Sequence, residues 1–158
     1  MIALLFSRGT DLGGRAIEWF GHGAAFSHVD SALSTGRLLG ARSDVVGGAP
    51  AGVQIRDPSY LGAEMTLRVS LVTDKAMEDA YYAFLQAQIG KPYDEGGILA
   101  FIDGRNWRTP DSWFCSELVS AGLEQCGYFR FPLATPTNKM TPPDLLLALS
   151  VQTPIVLP

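Results

Sequence analysis

Basic residues are few and scattered. The chain carries 12 lysines and arginines against 16 aspartates and glutamates, a formal net charge of -4, and no run of lysine or arginine. Nucleic acid is recognised through basic patches that neutralise phosphates, so no nucleic-acid partner is expected, and the same shortage argues against electrostatic attachment to anionic lipid. Long apolar runs are missing too. The stretch Ile2-Ala3-Leu4-Leu5-Phe6 has no basic flank before it. It is too short for the apolar region of a signal peptide and far below the roughly 20 residues of a membrane span. The expectation is a soluble chain, cytoplasmic at synthesis.

Cysteine and histidine number only two each. Cys115 and Cys126 fall on one expected helix, which would set them roughly 16 Å apart at the helical rise. A disulfide needs Cα atoms within about 7 Å, so the two should not pair. Two cysteines and His22 and His28, without close spacing, also make a poor zinc site, so no metal is expected. No internal repeat or low-complexity tract is present.

What is present is apolar content of 47% over 158 residues, enough for one domain spanning 1–158 with its own core. Residues 2–6 read as a buried strand and 11–20 as a short helix ended by Gly21-His22-Gly23. Residues 27–33 and 37–42 form a hairpin about Ser34-Thr35-Gly36, followed by a glycine-rich loop over 47–52 and strands at 53–56 and 65–69. The second half is helical. Thr73 or Asp74 caps a helix to about Ile89, residues 96–102 suggest a short helical piece, and 103–110 is a polar loop. Asp111 or Ser112 caps a helix to about Cys126, Thr141-Pro142-Pro143-Asp144 opens a last helix through Leu149, and the tail 151–158 reads as an edge strand. Strands early and helices late give an α+β fold, a mainly antiparallel sheet packed against helices.

The chemistry gathers at a few residues. Cys115 lies in Ser112-Trp113-Phe114-Cys115-Ser116-Glu117-Leu118, in the first turn of its helix. A helix N-terminus offers unpaired N–H groups and partial positive charge. Both stabilise a thiolate, the nucleophilic form of cysteine, and the same N–H groups can hold an oxyanion. Cys126, at the other end of that helix, reads as a core or subsurface residue. A general base must be His28 or His22, and His28, on a strand, can present a fixed imidazole. A third group usually orients the base. Asp30, two residues on and so on the same sheet face, and Asp44 are the candidates. Tyr93, in Gly90-Lys91-Pro92-Tyr93-Asp94, either lines a cleft or covers the core beside Trp107 or Trp113.

Four segments in this order, Phe26-Ser27-His28-Val29, Leu39-Gly40-Ala41, Gly90-Lys91-Pro92-Tyr93-Asp94 and Phe114-Cys115-Ser116-Glu117-Leu118, resemble the circularly permuted NlpC-like cysteine peptidases, the YiiX-like branch of the papain-like superfamily. The resemblance covers roughly residues 1–128. It implies a permuted papain-like fold with the histidine strand ahead of the cysteine helix. It also implies an amidase or endopeptidase acting on cell-wall peptides through an acyl-enzyme. Cys115 would attack, His28 would move the proton, Tyr93 would line the cleft, and no metal or organic cofactor would be needed. One position departs from the pattern. Where the family often carries a polar residue, commonly glutamate, on the strand after the histidine strand, this chain has Gly40. Orientation of the imidazole then falls to a water, a backbone carbonyl or Asp30.

Two other functions follow from the same residues. Acyl-transferring relatives suggest a lipid-directed thioesterase or acyltransferase, with an apolar groove supplied by the loop 44–53 or the tail 151–158. Gly40 suggests a non-catalytic binding or assembly module that keeps the fold. A peptidoglycan-fragment substrate would call for delivery by a phage tail or a secretion machine.

Overall fold

A computed structural model describes residues 1–8, 25–61, 65–96 and 110–152. The expected helix 11–20 with His22, the piece 96–102 beyond Gly96, the loop 103–110 up to residue 109 and the tail from 153 onward lie outside the described residues.

Five strands form one antiparallel sheet in the order β4-β3-β2-β1-β5. They are β1 (Ile2–Ser7), β2 (His28–Ala32), β3 (Leu38–Arg42), β4 (Gly52–Arg56) and β5 (Thr66–Leu71). The hairpin between β2 and β3 closes with the Leu33 amide on the Arg37 carbonyl at 2.9 Å, and Gly36 supplies the left-handed backbone (φ 80°) that the turn requires. Alternation along the strands divides the side chains between two faces. Leu4, Phe6, Val29, Leu39, Ala41, Val53 and Val69 enter the main core with the helices. Ala3, Ala32 and Leu38 form a smaller cluster on the reverse face, with Leu5 and Tyr60 against it.

Among the described residues the α-helices that follow are α1 (Lys75–Ala87), α2 (Cys115–Gln125) and α3 (Pro142–Gln152). Asp74 caps α1, its carboxylate accepting from the Met77 amide at 2.8 Å. Inside the layer, Tyr81 of α1 meets Ser31 of β2, hydroxyl to hydroxyl at 2.5 Å, so the one polar group each brings into the core is satisfied. Gly122 lets α2 lie close on α1, since a Cβ there would fall 2.6 Å from a Leu85 methyl and 2.9 Å from the Tyr81 ring. Among the described residues no helix is long and apolar enough to cross a membrane.

Two expectations are corrected. The cysteine helix starts at Cys115 with Phe114 as its N-cap and no side-chain cap, not at Asp111 or Ser112. The reason is a strap. Trp113 donates its amide to the Pro92 carbonyl and accepts from the Asp94 amide, both at 3.1 Å, so residues 112–114 are held extended alongside Pro92–Asp94. Asp111, with φ 59°, is spent on the turn that enters this strap. At the other end, α3 runs through Gln152, so Val151 and Gln152 are helical and not part of an edge strand. No glycine or proline interrupts the pattern there.

Candidate active site

His28 opens β2, and Asp30 follows on the same face of the strand. The pleat brings their side chains together: imidazole Nε2 and carboxylate Oδ2 lie 2.9 Å apart. Both residues are buried, at 6% and 1% exposure. Cys115 lies close enough to the imidazole to favour its charged form, after Asp30. With Nε2 taken by Asp30, Nδ1 is the nitrogen left for the sulfur. The strap across Pro92–Asp94 and Trp113 sets Cys115 as the first residue of α2, so the thiol emerges where amide N–H groups have no carbonyl within the helix to bond.

The electrostatics follow from this packing. Burial alone would push the His28 pKa down, but the Asp30 carboxylate, and then Cys115, outweigh it and raise it from 6.5 to about 10. Burial pushes Asp30 up, yet the His28 charge, hydrogen bonds from His28 and Tyr60, and the charge of Arg42 hold it below the ordinary carboxylate range. The two partners agree in direction: at neutral pH the favoured state is an imidazolium beside a carboxylate.

Gly40 is the position that makes this arrangement fit. β2 and β3 pair Ser31 with Leu39 and Ala32 with Leu38, and the next step of that register sets Asp30 opposite Gly40. A Cβ on residue 40 would lie 1.8 Å from Asp30 Oδ1 and 2.9 Å from Cγ. The Asp30 carboxylate therefore fills the space that a side chain on β3 would use. The glycine at position 40 is paired with an acid on the neighbouring strand.

Asp44, the other candidate for the third group, is placed elsewhere. It receives two bonds from Arg42, at 2.7 and 2.9 Å, which hold its own pKa down. Tyr93 is half-buried, bridged to Trp113 and packed against the main core two positions before Cys115 in the paired chain. Trp107 lies outside the described residues. Cys126 ends α2 with a free thiol, and burial raises its pKa. The loop 44–53 turns back toward β4. Arg56, buried, donates to the Pro50 and Gly52 carbonyls and to the Gly40 carbonyl of β3, each at 2.8 Å.

Tyr60 was not legible in the sequence. It ends a 3-10 turn, Pro58–Tyr60, and its hydroxyl donates to Asp30 Oδ2 at 2.5 Å across 30 residues of chain. Only its type, an aromatic in an otherwise polar turn, sets it apart before the fold is known.

No protein-family model matches the sequence, and no curated protein matches it. Among solved structures, the chain is similar to the metalloprotein YiiX from Escherichia coli O157:H7, at 16% identity, over 87% of this chain and 77% of that one, with a TM-score of 0.57. The fold is YiiX-like. At this identity the likeness speaks to the backbone: the sheet and helices that carry His28, Asp30 and Cys115 are laid out in a YiiX-like way.

Proposed function

We propose that the chain is a cysteine hydrolase on a circularly permuted papain-like, YiiX-like scaffold, cleaving amide or related acyl bonds through an acyl-enzyme on Cys115. One observation carries this: the His28 ring lies 2.9 Å from a buried carboxylate, with Cys115 close enough to favour its charged form. His28 already holds, as an imidazolium, the proton that the nucleophile gives up, and the sulfur attacks the acyl carbonyl. Backbone N–H groups at the start of α2 receive the oxyanion. As the tetrahedral species collapses, the imidazolium gives its proton to the leaving amine. Water, deprotonated by His28, then attacks the thioester, releasing the acid and restoring the thiol. Asp30 holds the ring in the tautomer this requires and stabilises its charged form. Tyr93, beside the strap, lines the approach. The substrate class implied by the family resemblance is a cell-wall peptide, with delivery by a phage particle or secretion system.

The YiiX neighbour is a metalloprotein. Here His28 Nε2 and Asp30 Oδ2 are turned onto each other, and among the described residues no group of three or more His, Cys, Asp or Glu side chains converges on a point, so this set does not fit a metal.

A second reading, a binding or assembly module without turnover, is favoured by one observation: Cys115 is 0% exposed. The experiment is digestion of purified muropeptides and of acyl thioesters, with intact-mass detection of the adduct on the protein. Turnover and an acyl adduct, both lost in Cys115→Ser and His28→Ala, are the expected result. The relative rates on the two substrates separate a peptidase from a thioesterase. No product and no adduct with either class would leave the binding module as the better reading.

A further inference from the structure

We infer that Tyr60 is a positioning residue for this reaction: by donating its phenolic proton to Asp30 Oδ2, it fixes the carboxylate in the rotamer that serves His28. The inference rests on the hydrolase reading for its consequence in rate, but its structural core can be tested without turnover.

The argument begins with how little else holds Asp30. Its Oδ1 is buried without a hydrogen-bond partner among the described residues and lies over Gly40. All the anchoring is therefore at Oδ2, which accepts from His28 Nε2 at 2.9 Å and from the Tyr60 hydroxyl at 2.5 Å. The carboxyl group is broad in its last torsion. One donor leaves it free to swing about that contact, whereas two donors on one oxygen define the plane.

Tyr60 is itself built in. Its ring packs against the Ala3, Ala32 and Leu38 cluster on the reverse face of the sheet. Gly47 closes over it, since a Cβ on residue 47 would fall 2.9 Å from ring Cδ1. The Arg42 guanidinium covers the ring at 4.7 Å from its centre, clamped in turn by Asp44. Burial, and then the neighbouring Asp30 charge, keep the phenol protonated, so it acts as donor. A hydroxyl delivered this rigidly onto a catalytic carboxylate is an orienting group one step removed from the imidazole, in the manner of outer hydrogen bonds that tune a reacting group.

The test uses Tyr60→Phe, which keeps the ring and removes only the donor, beside Asp30→Asn and the double variant. The readouts are kcat and KM on the best acyl substrate and the titration of His28 by nitrogen-resolved histidine spectra. Tyr60→Phe should lower kcat about tenfold or more with KM little changed, the scale of one charge-assisted hydrogen bond. It should also move the His28 midpoint down toward the ordinary histidine value as Oδ2 drifts from Nε2. The double variant should be no slower than Asp30→Asn alone, because Tyr60 acts through Asp30. A midpoint that stays or rises, as it would if the hydroxyl only diluted the carboxylate charge, overturns the inference, and so does an additive double variant. In the wild-type chain the same spectra should show a Tyr60 hydroxyl proton protected from exchange and close to the His28 Nε2 proton. Its absence overturns the inference even if Tyr60→Phe does not fold. Should Cys115→Ser retain full turnover, the hydrolase reading falls, while the His28 titration still decides the role of Tyr60.

Discussion

Replacing Gly40 by alanine adds one methyl group and should disable the site. The new Cβ would stand 1.8 Å from Asp30 Oδ1 and 2.9 Å from its Cγ, with the Asp30 Cα 3.5 Å behind them. No contact of that kind survives, so either the carboxylate rotates away or β2 and β3 part locally. The strands are held by the ladder and by Arg56 on the Gly40 carbonyl, so the carboxylate yields. Rotation breaks the bonds from His28 and Tyr60 and leaves a buried charge without its partners. Two charge-assisted bonds at roughly 1.5–3 kcal/mol each put the stability loss at about 3–6 kcal/mol, a large share of a small domain's margin. Loss of the orienting acid should cut kcat on the order of 10³-fold. The assays are urea denaturation and kcat/KM on the acyl substrate. The stronger arm is the exchange Asp30→Ala with Gly40→Glu, which moves the acid to the facing strand. It should recover part of the activity that Asp30→Ala alone loses. A Gly40→Ala chain with native stability and rate, or an exchange variant no better than Asp30→Ala, would refute the idea that the two positions share one carboxylate site.

Three further outcomes are expected. Because the folded pKa of His28 is raised to about 10 from 6.5, its contribution to stability is complete below pH 6.5 and fades as pH rises through about 10. Asp30, lowered from 3.8, contributes above that value and fades as pH falls through its depressed folded pKa, so the stability difference between wild type and Asp30→Asn should peak between about pH 4 and 6.5 by denaturant titration; a pH-independent difference contradicts this. Arg56→Met should cost roughly 2–4 kcal/mol, since three carbonyls each bonded at 2.8 Å lose their donor, and it should lower activity as well because one of them is on Gly40. Gly122→Ala should cost about 1–3 kcal/mol by forcing α1 and α2 apart against the anchored Tyr81 ring while sparing the His28 titration; native-like melting would show that the helices have slack.

How much of this could be read in the chain depends on the range of the interactions. A short apolar run located β1, a hairpin signal located β2 and β3, alternation located β4 and β5, and the two-residue repeat of a strand put Asp30 on the His28 face, because all of these are local rules. The cap of α1 was legible because Asp74 acts on its own first turn. The start of α2 was misplaced because Ser112 and Asp111, good caps by type, are held in a strap with Pro92–Asp94, a pairing across some 20 residues that no local rule sees. Gly40 left the orienting group open between a water, a backbone carbonyl and Asp30, because only the register of β2 and β3 shows that the Asp30 carboxylate fills the space a side chain there would take. Tyr60 is the extreme case, a turn residue whose only functional contact is 30 positions away.

The burial of Cys115 finally makes a kinetic demand. A sulfur at 0% exposure cannot meet an acyl carbonyl in the structure as it stands, so a local opening must precede attack. Maintaining His28, Asp30 and the Tyr60 hydroxyl there carries a desolvation cost that a packed apolar cluster of the same volume would not have. An opening that exposes the thiol and the imidazole together is what would give that cost a use. Alkylation by iodoacetamide against urea measures the size of the opening. A local event exposes little surface, so the Cys115 labelling rate should rise only weakly with urea well below the unfolding midpoint, with a slope a small fraction of the global m-value. His28→Ala should slow that labelling by removing the base, without changing the slope. If Cys115 instead labels only with the full unfolding slope, the thiol is sealed in the core, and the hydrolase reading fails together with every step built on it.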